Sequence, residues 1–166
     1  FLGTDKDLIS YSKSISHLSM SAKSDKNPWV LKKIVLPQHT DHAGVMWHGA
    51  YLNWLEESRI DALSSVGLSY SNISENGYEM PVIELNIKYI DSLKHGEDVL
   101  LKSWLLDQKG PRIIWKTNFL KVDGTVSAEA VVNLVLLYRD KARVRVLRKG
   151  PQNISKAIED LRLGPK

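Results

Sequence analysis

The chain has 166 residues, no cysteine, and a formal net charge of +4 from 23 Lys and Arg against 19 Asp and Glu. That length suits one domain around one core, and the missing cysteines exclude disulfides, thiolate metal sites and cysteine nucleophiles while fitting a cytoplasmic setting. No apolar run approaches the roughly 20 residues that span a bilayer, so a membrane partner is not expected.

Residues 1–28 are rich in Ser and Lys and carry no steady apolar period. They read as an N-terminal extension, partly disordered, with a short helix conceivable over 7–20. A vector-encoded remnant, a processed product and an upstream addition all fit it, and Met20 is an alternative start. It has no apolar stretch of the length a signal peptide needs. The folded domain is expected over 29–166.

From Trp29 the pattern sharpens. Residues 29–36 are apolar and β-branched, broken by Lys32-Lys33 and stopped by Pro37, and predict a strand. Residues 37–47 have neither period and predict a loop. Tyr51, Leu52, Leu55, Ala62, Leu63 and Val66 recur at helical spacing and predict a helix over 49–66, ended by Gly67. A further helical turn is expected over 69–76. Strands follow at 82–90, with Glu84, Asn86 and Lys88 on one side, at 98–107, at 112–122 and at 126–139. Their connections are a turn over 91–97, the breaker Lys109-Gly110-Pro111 and the tight Asp123-Gly124 turn. A terminal helix is expected over 152–161. The late basic residues Arg139, Lys141, Arg143, Arg145, Arg148 and Lys149 read as solvated surface.

Short turns imply antiparallel pairing. One long helix against one curled antiparallel sheet buries the apolar stripe of both. The fold class is therefore α+β.

The chemistry concentrates in Thr40-Asp41-His42-Ala43-Gly44-Val45-Met46-Trp47-His48-Gly49-Ala50-Tyr51-Leu52, continuing to Glu56 on the helix. This string resembles the 4-hydroxybenzoyl-CoA thioesterase family and its relatives: an Asp, two residues, a Gly, a short apolar run, a His, then Tyr-Leu and an acidic residue on a helix. The following strand order is similar too, so the resemblance covers roughly 29–147. Where many members carry an aromatic and an acidic residue, this chain has Pro37-Gln38-His39, which bears on the shape of the acyl pocket. The resemblance implies the hotdog fold, a curled antiparallel sheet wrapped around one long helix. It implies an acyl-CoA substrate, no cofactor, no metal and no nucleic-acid partner. It also implies a homo-oligomer, either a dimer with the site between protomers or a tetramer built from two dimers.

The residues support that chemistry independently. The first N–H groups of a helix lack intrahelical partners and lie at its positive end. They suit an oxygen that becomes negative during acyl transfer. The backbone N–H of His48 or Gly49 is the candidate donor, and Gly49, lacking Cβ, permits close approach. Asp41 is the candidate catalytic carboxylate, acting as nucleophile or as general base toward water. Gly44, which lets the loop turn, Val45, Tyr51 and Glu56 are candidate substrate contacts. His42 reads as an exposed loop residue, and Trp54 as core or interface. Lys88, Arg112 and Arg143, with Lys116, Arg139 and Arg145 behind them, are candidates for the phosphates of coenzyme A. A hotdog hydratase or dehydratase and a non-catalytic acyl-CoA binding module are the alternatives. The seven-residue step from Asp41 to His48 disfavours the first, and the absence of a patterned DNA-binding or effector segment disfavours the second.

Overall fold

The structure, a computed structural model, describes residues 26–107, 110–141 and 143–166. The helix considered over 7–20, the extension up to residue 25 and Lys109 of the expected breaker lie outside the described residues.

Among the described residues, seven strands and three α-helices follow in the order β1 (Trp29–Ile34), α1 (His48–Ser65), α2 (Tyr70–Glu75), β2 (Tyr78–Glu79), β3 (Val82–Tyr89), β4 (Asp98–Leu105), β5 (Arg112–Lys121), β6 (Val126–Asp140), β7 (Arg143–Leu147) and α3 (Gln152–Leu163). All pairings are antiparallel, as the short connections require. The strand path runs β1-β4-β5-β6. β3 joins β6 along its first half (Val82 opposite Leu134, Tyr89 opposite Ala128), and β2 and β7 join its second half. None of the described helices is long and apolar enough to cross a membrane.

The sheet curls around α1, which is the hotdog arrangement. Alternation puts Val99, Leu101 and Leu105 of β4 and Ile113, Trp115 and Phe119 of β5 on the inner face. They meet Ala50, Tyr51, Trp54, Leu55, Ala62 and Leu63 of α1 in one core. Each buried Val, Leu, Ile or Phe side chain among them contributes roughly 1.5–3 kcal/mol by leaving water, and truncating Phe119 to alanine would cost about 3–5 kcal/mol. The buried inner hydroxyls are paired, whereas the indole N–H groups of Trp54 and Trp115 have no hydrogen-bond partner among the described residues. Ser58 of α1 lies 2.9 Å from Ser103 of β4, and Ser103 lies 2.8 Å from Thr117 of β5. Arg59, also buried, donates to the Tyr70 hydroxyl and to Glu56.

Three features depart from the sequence expectation. A 3-10 turn over Pro37–His39 opens what was expected to be plain loop. β7 forms inside the basic run expected to be simple surface, because Arg143, Val144, Arg145 and Val146 alternate and pair with β6. β3 is not half-buried: Val82, Ile83, Leu85 and Tyr89 are all 40–51% exposed, on both faces of the strand.

Candidate active site

The segment between the 3-10 turn and α1 folds into a miniature hairpin. Thr40 pairs with Met46, and Val45 pairs in turn with Lys94 of the β3–β4 connection. The Met46 N–H donates to Leu93 O at 2.7 Å, and the Trp47 N–H to His39 O at 3.1 Å. Asp41 stands at the hairpin's turn. Its N–H donates to Val45 O at 2.9 Å, and its carbonyl accepts the Gly44 N–H at 3.0 Å. Its Oδ1 accepts the N–H groups of Ala43 at 2.8 Å and Val45 at 3.3 Å. Oδ2 accepts no hydrogen bond from the described residues, so one carboxylate oxygen is pinned and the other is free. Gly44 makes this turn at φ +77°, a left-handed conformation that side chains resist.

Asp41 shares an open cleft of about 620 Å³ with Thr40, His42, Met46, Trp47, His48 and Tyr89. α1 begins on that cleft. Trp47 at its N-cap supplies no side-chain bond, and the Ala50 N–H donates to Trp47 O at 3.0 Å, so the N–H groups of His48 and Gly49 are the ones that keep hydrogen-bonding capacity, and the helix dipole adds partial positive charge. The Asp41 carboxylate and His48, the first residue of α1, therefore border the same space.

Asp41 and His48 both line the cleft. Gly49 lies beneath the wall rather than on it. A Cβ there would fall inside the Trp47 ring, so an indole, not open space, makes the close approach at Gly49. Trp47 itself meets the His48 ring edge-on at 5.3 Å. Val45 serves through its backbone, holding Asp41. Tyr51 is buried behind Tyr89, at 5.0 Å between ring centroids, and packs on Phe119 at 5.2 Å. Burial, then the neighbouring Tyr89 hydroxyl, pushes its phenol up to about 12. Glu56 is bonded to Arg59, one turn further along α1, and is not among the residues lining the cleft.

The structure does not bring the basic candidates to one place within the chain. Lys88 is exposed beside Tyr89 at the cleft end of β3. Arg112 is at the other end of the sheet, 3.4 Å from Glu84. Arg143 lines a second groove of about 450 Å³ with Arg139, Asp140, Lys141 and Val144, on the β6–β7 hairpin. Thr40, Met46, Trp47 and Tyr89 line the cleft without having been singled out. Tyr89 had a signal: it falls opposite Glu84, Asn86 and Lys88 in the alternation of its strand.

Comparison with known proteins finds relatives in both sequence and fold. The sequence model of the thioesterase-like superfamily matches residues 35–157. The chain is 29% identical over 129 residues to the candidate esterase sll0410 of Synechocystis, covering 77% of this chain and 76% of that one. It is 26% identical over 110 residues to the candidate acyl-CoA thioesterase YneP of Bacillus subtilis, covering 66% and 80% respectively. The crystal structure of a DHNA-CoA thioesterase from Staphylococcus aureus superposes with a TM-score of 0.69 at 25% identity, over 78% of this chain and 87% of that chain.

Proposed function

The chain belongs to the thioesterase-like superfamily, and from that premise we propose that it hydrolyses an acyl-CoA thioester to the free acid and coenzyme A. One observation carries this reading: Asp41, its Oδ2 free of protein partners among the described residues, faces the same cleft as the uncapped start of α1. A thioester carbonyl seated on the N–H groups of the first helical turn would have its developing oxyanion stabilised by fixed donors. Oδ2 would then attack the carbonyl carbon, expelling the CoA thiolate and leaving a mixed anhydride for water to open. Alternatively, Oδ2 takes a proton from a water that attacks directly.

A paired assembly would complete the same site. β3 pairs with β6 on one side, and its apolar residues Val82, Ile83, Leu85 and Tyr89 are exposed. An edge of this kind invites a second strand. Twofold pairing of two β3 edges would set the Tyr89 end of one protomer beside the Val82 end of the other. Arg143 lies opposite Asp140, and Tyr89 opposite Ala128, on the same strand β6. Twelve residues of strand separate those two positions, roughly 40 Å. Arg143 is therefore too far to serve its own cleft, whereas in the paired arrangement the partner's hairpin approaches it. Phosphates of coenzyme A would then be met by Lys88 of one chain and the basic β6–β7 hairpin of the other.

The test is thiol release from a panel of fatty, aromatic and short branched acyl-CoA esters. Turnover of at least one class, with stoichiometric free acid, is expected. Tight binding across the panel without thiol release would instead favour a binding module. A single turnover in ¹⁸O-water separates the two chemical routes, since label enters Asp41 only through the anhydride.

A further inference from the structure

Two carboxylates at opposite ends of the β3–β4 connection converge on one ammonium. Lys121 Nζ, at the end of β5, lies 2.8 Å from Asp91 Oδ2 and 3.3 Å from Glu97 Oε1. Its side chain is 18% exposed, so the pairing is partly withdrawn from solvent. Each carboxylate also holds its own loop: Asp91 Oδ1 accepts the Ser92 N–H at 2.9 Å, and Glu97 Oε2 accepts the Lys94 N–H at 2.6 Å. A lysine suits this position, because its compact ammonium has three donors and can serve two acceptors at once. The hydrogen bond from Lys121 holds the Asp91 carboxyl below its ordinary range.

The loop closed in this way is the one that carries the Asp41 hairpin. Leu93 O accepts the Met46 N–H at 2.7 Å, and Lys94 pairs with Val45. Val45 grips Asp41 at both ends, taking its N–H at 2.9 Å and donating to Oδ1 at 3.3 Å. From the ammonium to the carboxylate, every link is a single bonded contact or a short step of backbone.

We infer that Lys121 is a positioning residue for Asp41, acting through the 91–97 loop that its two ion pairs close. This rests on the assignment of Asp41 as the catalytic carboxylate. Lys121 touches neither Asp41 nor the cleft lining, so its effect is one of placement. Without it, the two carboxylates that shared one cation repel each other. The loop keeps its backbone bonds to Val35, through Val35 N–H to Glu97 O at 2.9 Å and Gly96 N–H to Val35 O at 2.8 Å. The change is therefore a loosening of the loop and of the Asp41 turn, not an unfolding of the domain.

The experiment uses Lys121→Met and Lys121→Arg in the full chain, with hydrogen exchange read at the Met46 and Trp115 amides. Lys121→Met should lower kcat about 10- to 100-fold, the range a misplaced reacting group produces, with KM within about threefold. Lys121→Arg, which restores the cation, should recover most of that loss. Exchange at Met46 should accelerate in Lys121→Met while Trp115, in the core of β5, is unchanged. In an Asp41→Asn background the Lys121→Met change should cause no further loss, since a positioned group that is gone cannot be mispositioned. Wild-type kcat and wild-type Met46 exchange in folded Lys121→Met would overturn the inference. If Lys121→Met does not fold, Asp91→Asn, which releases one end of the loop, decides by the same two readouts. Unimpaired Asp41→Asn would instead overturn the assignment of Asp41, leaving Met46 exchange to test the loop closure on its own.

Discussion

Gly44 offers a perturbation whose size can be worked out before it is made. Its φ is +77°, and a Cβ added there would meet nothing within 4 Å. Gly44→Ala therefore introduces no clash, only the left-handed backbone penalty of about 1–2 kcal/mol. The alanine also stiffens the unfolded chain, which offsets about 0.4–1 kcal/mol of the stability loss. Gly67, just after α1, has the same φ of +77° and the same empty surroundings. The two glycines are thus matched in strain and differ in place: the Gly44 N–H donates to Asp41 O at 3.0 Å inside the Asp41 turn, whereas Gly67 follows α1 and donates to Ser64 O. Both alanine variants should lose a similar small amount of stability, a few degrees in Tm at about 2–4 °C per kcal/mol. Only Gly44→Ala should lose activity. A penalty of about 1–2 kcal/mol lowers the equilibrium constant for the closed turn by a factor of about 5 to 30, so kcat/KM should fall by up to about that factor. Gly44→Asn, whose side chain tolerates this conformation, should fall between wild type and alanine. The assay is thiol release alongside thermal melts for all three variants. Full activity in Gly44→Ala, or an equal loss in Gly67→Ala, would refute the link between this turn and catalysis.

Two further outcomes follow from packing and charge. Burial raises the Tyr51 phenol to about 12, above the ordinary value near 10 that it regains on unfolding. Its protonated form therefore adds stability that is complete below about pH 10 and fades as pH climbs toward 12. The urea midpoint should fall more steeply across that window in wild type than in Tyr51→Phe, and equal slopes would contradict the burial of that hydroxyl. On β3, Leu85→Lys places a charge on the exposed edge. It should convert a wild-type dimer or tetramer to monomer by light scattering and abolish thiol release, and an active variant of unchanged mass would exclude pairing through this strand.

The α1 helix and the strands β3 to β6 were legible because their periods survive along the chain and their turns are punctuated by Gly67, Gly96 and Asp123-Gly124. β7 was not, because the charge of Arg143 and Arg145 outweighed the Val144–Val146 alternation that pairs it with β6. Asp41, Gly44 and His48 were legible from one contiguous string. The rest of the site comes from residues distant in sequence. Tyr89 reaches the cleft only because the sheet curls, and Asp91, Glu97 and Lys121 meet only because β5 returns beside the β3–β4 connection. The Trp47 ring over Gly49 is a rotamer outcome, which spacing does not encode.

The most direct measurement is kcat of Asp41→Asn on whichever acyl-CoA the wild-type protein turns over. The amide keeps an oxygen to accept the Ala43 and Val45 N–H groups, so the turn should hold. What is lost is the anionic oxygen that attacks carbon or takes a proton from water. A folded Asp41→Asn should bind substrate with KM little changed and turn it over about 10²- to 10⁴-fold more slowly. Turnover within about tenfold of wild type would contradict the account, because the chemistry would then belong to some other group.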